Sequence, residues 1–545
     1  MKKTTLNSVV SIVIFITICF SFIALRNDDP VISKNKFYKI SPANERSLII
    51  NSRKLDTNNI SAWFTNNGSF NFDPTTSNAG FEWPRGTGYS ARYSSGVWMG
   101  CVVGDDTLTA VTEYAFDFKP GYVDDNGNPQ GQFDPLYRIY RIERGDTTTS
   151  DYQNWPVSQG AYVNSQGRPF FLGTQTMFYV YTDAYPHTTP QGSSASLKAP
   201  ILQTNWCYTN VGLQDVLFTE FRVINRSNSL WSRAYLSVWT DDDLGDAIDD
   251  RIGCDTERDL GFTYNATDND PIYGAAPPAV GTKVLRSPIV QTGDPNDTVK
   301  YYSPPGSQNL ITKIGYRSIG MTVFNTYNNV NPQPSDPQNY VETYRVISGL
   351  WRTGQPWVDP FTSDTTRKPY SGDPVSGSGW VMTGENDRRF LQSFGPIIMS
   401  PGDTQSIIIA QVIARGEDYL QSVAKLRDLS DHVQTIYNQN FQSLLSVKNI
   451  STEIPEGFNL YQNYPNPFNP VTKIKFDVTS RLKMQDVKLI IYNTLGIEVA
   501  TLVNEKLSPG SYEVEFDGSN FTTGVYFYRI KAEGFLQTKK MLLIK

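Results

Sequence analysis

VTKIKFDV, residues Val471–Val478, is the stretch from which the fold is read. Ile474, Phe476 and Val478 fall on one parity, and Val471, Lys473, Lys475 and Asp477 on the other. A period of two belongs to a strand with one face toward a core and one toward water. Before it, YQNYPNPFNP (Tyr461–Pro470) carries prolines at 465, 467 and 470. Proline lacks the amide donor, so this segment suits an edge or a turn. After it, VKLIIYNTLG, SYEVEF and GVYFYRIKAEG repeat the short-strand pattern between turn residues. About seven such strands in roughly ninety residues predict a small immunoglobulin-like β-sandwich over 456–545.

The same signals extend toward the N-terminus. The 545 residues include 31 Tyr, 29 Phe, 40 Gly and 33 Pro, a composition for many short strands joined by tight turns. LTAVTEYAFDF (Leu108–Phe118), TMFYVYTD (Thr176–Asp183), FTEFRVIN (Phe218–Asn225) and RAYLSVWTD (Arg233–Asp241) have strand length and content. The fold class is therefore mainly β: a large β-sandwich-type domain over 62–416, followed by the small C-terminal sandwich. A Pro- and Asn-rich loop, Tyr327–Tyr340, marks where the large domain would divide. Residues 417–445 contain neither Gly nor Pro and space their apolar residues helically, with Ser430 placed to cap a second helix after a short break. Residues 446–455 read as a linker, and 25–61 as an irregular lead-in.

Residues 1–24 read as an export signal. Lys2 and Lys3 precede an apolar run, Val9–Ala24, ended by Asn27, Asp28, Asp29 and Pro30. The run is shorter than the roughly 20 residues that span a bilayer comfortably; a retained anchor is the competing reading. Beyond this segment three cysteines remain, Cys101, Cys207 and Cys254, which permit one disulfide at most. No CxxC pair is present, which argues against a structural zinc site.

The net charge of −6 is concentrated. Between Asp241 and Asp259 stand nine acids against Arg251 and Arg258, so this stretch carries −7 and the remainder about +1. No basic patch offers a nucleic-acid surface, so no nucleic-acid partner is expected. Carboxylates this dense repel one another unless a cation compensates them. Asp241, Asp243, Asp249, Asp250 and Asp255, on a backbone turning at Gly245, supply the hard oxygen ligands that calcium prefers. The spacing is not that of an EF-hand, since Gly falls at the fifth position and no Glu at the twelfth. A solvated acidic loop and a catalytic carboxylate pair are the other two readings.

Standard catalytic signatures are missing. The chain has only His187 and His432, with no HExxH, GxSxG or P-loop pattern. His187, in a Pro-flanked loop, reads as a surface residue. A glycosidase would need two carboxylates flanking a cleft, and none of the 54 acids is marked out for it. Trp63, Trp83, Trp98, Trp351, Trp357 and Trp380 lie beside turns, where rings either stack on a ligand or fill the core.

FNLYQNYPNPFNP, VKLIIYNTLGIEVATLV, LSPGSYEVEFDGSNFTTGVYFYRIKAEG and the closing KKMLLIK, taken together, resemble the C-terminal sorting domain of type IX secretion substrates over 453–545. The resemblance implies passage through the inner membrane, export across the outer membrane by the type IX machinery, and release or attachment to surface lipopolysaccharide. The rest, with GFEWPRGTGYSARYSSGVWMG, the acidic stretch and DRRFLQSFGP, resembles uncharacterised secreted proteins carrying that tail, which implies shared architecture only. The expectation is a secreted or surface-attached, non-catalytic β protein with a structural, adhesive or ligand-binding role, a glycan being the candidate ligand, and a calcium-stabilised acidic loop. The alternative is an extracellular polysaccharide hydrolase acting through a carboxylate pair.

Overall fold

The computed structural model describes residues 48 and 50–545, apart from short segments at 114–115, 146, 193, 211, 329–333, 442–447, 452–453, 480–484, 508, 520 and 533. The expected export signal, residues 1–24, lies outside the described residues, as does most of the lead-in. Among the described residues no helix is long and apolar enough to cross a membrane.

Two large antiparallel sheets form the main body. The first orders its strands Tyr140–Glu143, Gln175–Thr182, Pro200–Cys207, Val216–Ile224, Thr404–Ala414, Ala279–Arg286, Leu260–Asn265 and Asp250–Asp255, with Lys119–Pro120 joined at the side. The second runs Val323–Asn328, Arg388–Met399, Trp231–Asp241, Ser94–Val103 and Asp106–Val111. Val97, Met99, Leu236, Val238 and Phe390 of the second sheet and Tyr179, Ile201, Phe221, Ile407 and Ile409 of the first share one core cluster. Strands on both sides of the Tyr327–Tyr340 loop pair within the second sheet, because Val323–Asn328 lies beside Arg388–Met399.

Each sheet is covered on its outer face as well. The helix Tyr419–Asn438 buries Val423, Leu426, Val433 and Ile436 against Phe218, Leu260, Phe262 and Ile408 of the first sheet. Asp418 caps this helix by accepting from the Gln421 amide. The helix is continuous: Ser430, expected to start a second one, is fully buried within its sheet-facing stripe. A small residue there lets the helix approach the sheet at the spacing set by Leu426 and Val433. A second helix, Tyr340–Ile347, not foreseen from the sequence, packs Val346 and Ile347 with Trp98, Tyr235, Trp239 and Leu391 on the outer face of the second sheet. Its eight residues are rich in Tyr, Val, Thr and Ile, so intrinsic propensity gave no helical signal. Asn339 caps it, accepting from the Val341 and Glu342 amides. The strand Gln175–Thr182 is buried along its entire length because Met177, Tyr179 and Tyr181 join the core between the sheets while Phe178 and Val180 pack outward with Tyr137, Trp155 and Phe171.

The C-terminal module is two four-stranded sheets over one core. Thr472, Ile474, Phe476 and Val478 are buried and Lys473 and Lys475 exposed, the expected alternation. Within the segment read as a linker, the strand Lys448–Ser451 pairs with Gly510–Asp517 of this module. The Pro-rich segment turns along its edge: the Tyr528 hydroxyl accepts from the Asn463 amide at 2.8 Å and donates to the Tyr461 carbonyl at 2.9 Å. Polar contacts to the main body include Arg144 to Asp517 at 2.8 Å, Asn164 to the Ser519 carbonyl and Gln308 to the Val499 carbonyl.

Candidate functional site

The central strand Trp231–Asp241 delivers its acids to the end of the second sheet. Side chains alternate along an extended chain, so Asp241 and Asp243 project to one side and Asp242 to the other. Asp242 points inward and is completely buried against Arg92, with Nε 3.3 Å from Oδ1. The Thr263 hydroxyl donates to its other oxygen, and Arg92 donates in turn to Thr282. Thr263 and Thr282 belong to the first sheet, so this pair ties the two sheets together. Burial raises the Asp242 carboxyl to about 6 although Arg92 pulls it down.

On the other side Asp241 faces Arg389 across the antiparallel pair. Arg389 bridges two acids: Nη2 lies 3.0 Å from Asp241 and Nη1 2.9 Å from Asp387. One carboxylate oxygen each from Asp241, Asp243 and Asp387 lies within 4.8 Å of the others. Asp241 is 4% exposed, and its Oδ1 makes no hydrogen bond within the protein. Burial, reinforced by Asp243 and Asp387 and opposed by Arg389, raises its carboxyl well above the ordinary range. Burial and the Asp387 charge push Asp243 up to about 7, again against Arg389. Three carboxylates and one guanidinium sum to −2 when all are ionised. Such a site either keeps protons at neutral pH or takes a divalent cation, and three converging oxygens suit a hard one.

The other predicted ligands stand elsewhere. Asp250 is buried and accepts from the Leu244 amide, and burial raises it well above the usual range. Asp249, raised to about 6 by burial and then by Asp270, accepts from Asn265. The turn between them and Asp243 passes through Gly245 at φ 77°, where a Cβ would strike the Asp270 carboxylate. Asp255 pairs with Arg258 at 3.1 Å and Arg427 at 3.0 Å. Of the five predicted ligands, Asp241 and Asp243 thus join one carboxylate cluster, Asp249 and Asp250 accept from Asn265 and the Leu244 amide at the turn, and Asp255 is held by two arginines. Asp387, from a distant part of the sequence, completes the cluster. Its only mark was an acid placed before Arg388 and Arg389 at the start of a strand, and strand pairing alone brings it beside Asp241.

His187 differs from the surface residue expected. Its side chain is fully buried, 3.5 Å from Asp183 and 3.9 Å from Asp117. Burial disfavours its charge, but the hydrogen bond and charge of Asp183, with Asp117, raise it to about 9. Asp183 is held by the Leu197 and Ala199 amides, so the group ties the loop into the body. Of the tryptophans beside turns, Trp83, Trp98 and Trp357 are buried. Trp63, Trp351 and Trp380 are half-buried, and Trp351, Trp357, Tyr370 and Trp380 pack on one another with centroids 5.1–6.1 Å apart. Cys101, Cys207 and Cys254 are free and buried.

Residues 462–545 match the family model of the secretion system C-terminal sorting domain. That tail engages the type IX machinery and marks a secreted or cell-surface-attached protein. No curated protein matches the chain. Among solved structures, a polysaccharide lyase is similar at 8% identity and a TM-score of 0.23, over 91% of this chain and 46% of that one. Dimeric latent PorU from Porphyromonas gingivalis is similar at 10% identity and a TM-score of 0.15, over 91% of this chain and 34% of that one. The chain spans less than half the length of either.

Proposed function

With a type IX sorting domain as its last 84 residues, 462–545, the chain is cargo, and we propose that the cargo is a non-catalytic β protein of the cell surface with a calcium-stabilised acidic site. It serves a structural, adhesive or ligand-binding role, with surface lipopolysaccharide as its attachment and a glycan as its ligand. The carrying observation is the convergence of Asp241, Asp243 and Asp387 with one buried, unbonded oxygen among them. Calcium would let the three acids ionise together and would hold the ends of the strands Trp231–Asp241 and Arg388–Met399 in register. Asp249, Asp250 and Asp255 shape the surrounding loop.

Calcium at about 10–100 times its dissociation constant should stabilise the folded protein by about 1.4–2.7 kcal/mol. The test is thermal unfolding of the full chain with calcium and with excess chelator, repeated on Asp387→Asn. Calcium should raise the wild-type transition and leave the variant unmoved. A wild-type transition indifferent to chelation, or a variant that responds as the wild type does, refutes the site.

A further inference from the structure

The hairpin Thr298–Tyr302 and Leu310–Ile314 pairs only with itself among the described strands and stands beside the C-terminal end of the helix Tyr419–Asn438. Asn440, just past the helix, holds the hairpin in place. Its Oδ1 accepts from the Gly306 amide and its Nδ2 donates to the Ser307 carbonyl, each at 2.6 Å. Between hairpin and helix end lies a cleft of about 380 Å³, lined chiefly by Tyr301, Tyr302, Tyr437, Leu310, Lys300 and Asn438. Clefts for small ligands start at about 300 Å³.

The charge of this cleft runs against that of the chain. Its lining contains a lysine and no carboxylate, although the chain carries −6. Beneath Tyr301, the Arg286 guanidinium lies 4.7 Å from the ring centroid. Arg286 is 8% exposed, and its Nε and Nη1 make no hydrogen bond within the protein. Its charge meets Glu220, which also accepts from the Ser406 and Tyr162 hydroxyls. Arg222 packs over the ring of Tyr162 at 4.3 Å and donates to the Gly160 carbonyl, so a second arginine stands beside the tyrosine that donates to Glu220. With Lys300 in its lining and no carboxylate there, the cleft presents positive charge, which a low-dielectric wall focuses.

We propose that this cleft binds an acidic oligosaccharide, with sugar rings laid on the tyrosines and an acid group at Lys300. This rests on the reading of the exported protein as a ligand-binding one. Aromatic faces take the apolar C–H side of a sugar, while the tyrosine hydroxyls and the Asn438 amide meet its hydroxyls. Carboxylate and sulfate share the required chemistry.

Calorimetry on the full chain distinguishes them with three probes: oligogalacturonate, dextran sulfate and a neutral cello-oligosaccharide. One acidic probe or both should bind, more weakly as salt rises, and the neutral probe at least about tenfold less tightly. Lys300→Ala, at an exposed position, should cost the acidic probe several-fold and the neutral one nothing. Tyr302→Ala should cost every probe about tenfold. No binding by either acidic probe overturns the cleft, as does equal salt-independent binding of the neutral one, or binding that both variants leave intact. The same samples are assayed for new chain ends. Binding with cleavage supports the cleft and overturns the non-catalytic reading, whereas absent binding leaves that reading standing and removes the cleft.

Discussion

Replacing Arg92 by Met removes the counter-charge of Asp242 from between the two sheets. Both side chains are completely buried, and Asp242 sits at about 6 even with Arg92 pulling it down. In the variant the Thr263 hydroxyl still favours the ionised form, but the arginine does not, so the carboxyl keeps its proton to higher pH. In the unfolded chain it ionises near 3.9. A carboxyl raised by folding stabilises fully below its unfolded value and loses that contribution as pH climbs to its folded value. The wild type stops losing near pH 6; the variant goes on losing about 1.4 kcal/mol per pH unit. Its deficit therefore grows by about 1.4 kcal/mol for each pH unit above about 6 until the variant's own folded value is reached. A pH-independent part of about 1 kcal/mol adds to this, because the Thr282 hydroxyl loses its donor. Against a total of about 5–15 kcal/mol the effect is large. Equilibrium urea unfolding, followed by tryptophan fluorescence at several pH values from about 5 to about 8, measures it. A deficit that stays flat or shrinks as pH rises refutes the reasoning. Adding Asp242→Asn to the variant should abolish the slope.

Two further predictions concern groups outside the acidic site. His187, held at about 9 in the fold against about 6.5 unfolded, contributes stability that is complete below pH 6.5 and lost as pH rises to 9. His187→Gln should therefore cost about 3 kcal/mol near pH 6 and little near pH 9, the opposite trend to Arg92→Met; denaturant midpoints with the same offset at both pH values would contradict it. Tyr528→Phe leaves the Asn463 amide and the Tyr461 carbonyl without their partner. It should cost the C-terminal module about 1–3 kcal/mol and speed hydrogen exchange at Asn463, and unchanged protection there would count against the anchoring role.

Local pattern sufficed where one face of an element is wet. VTKIKFDV alternates because Lys473 and Lys475 meet water while Ile474 and Phe476 meet the opposite sheet, and that contrast is visible in eight residues. The Glu417–Leu445 reading located the helix Tyr419–Asn438 for the same reason. It went astray at Ser430, where a capping residue type serves instead as a small contact in a buried stripe. The helix Tyr340–Ile347 escaped notice because packing on Trp98 and Trp239, rather than propensity, holds it.

By itself the sequence determined the class of fold, the C-terminal module and hence the destination, because these depend on period, turn chemistry and a contiguous signature. It also placed the charge between Asp241 and Asp259. Which of those acids act together was decided only by tertiary structure. Strand parity turns Asp242 inward to Arg92 and leaves Asp241 and Asp243 together on the other side, and antiparallel pairing brings Asp387 to them from 144 residues beyond Asp243. Arg258 and Arg427 draw Asp255 away into ion pairs. The tyrosine cleft and Arg286 beneath it arise in the same way, from elements distant in sequence, because electrostatic fields and binding surfaces depend on distance through space rather than along the chain.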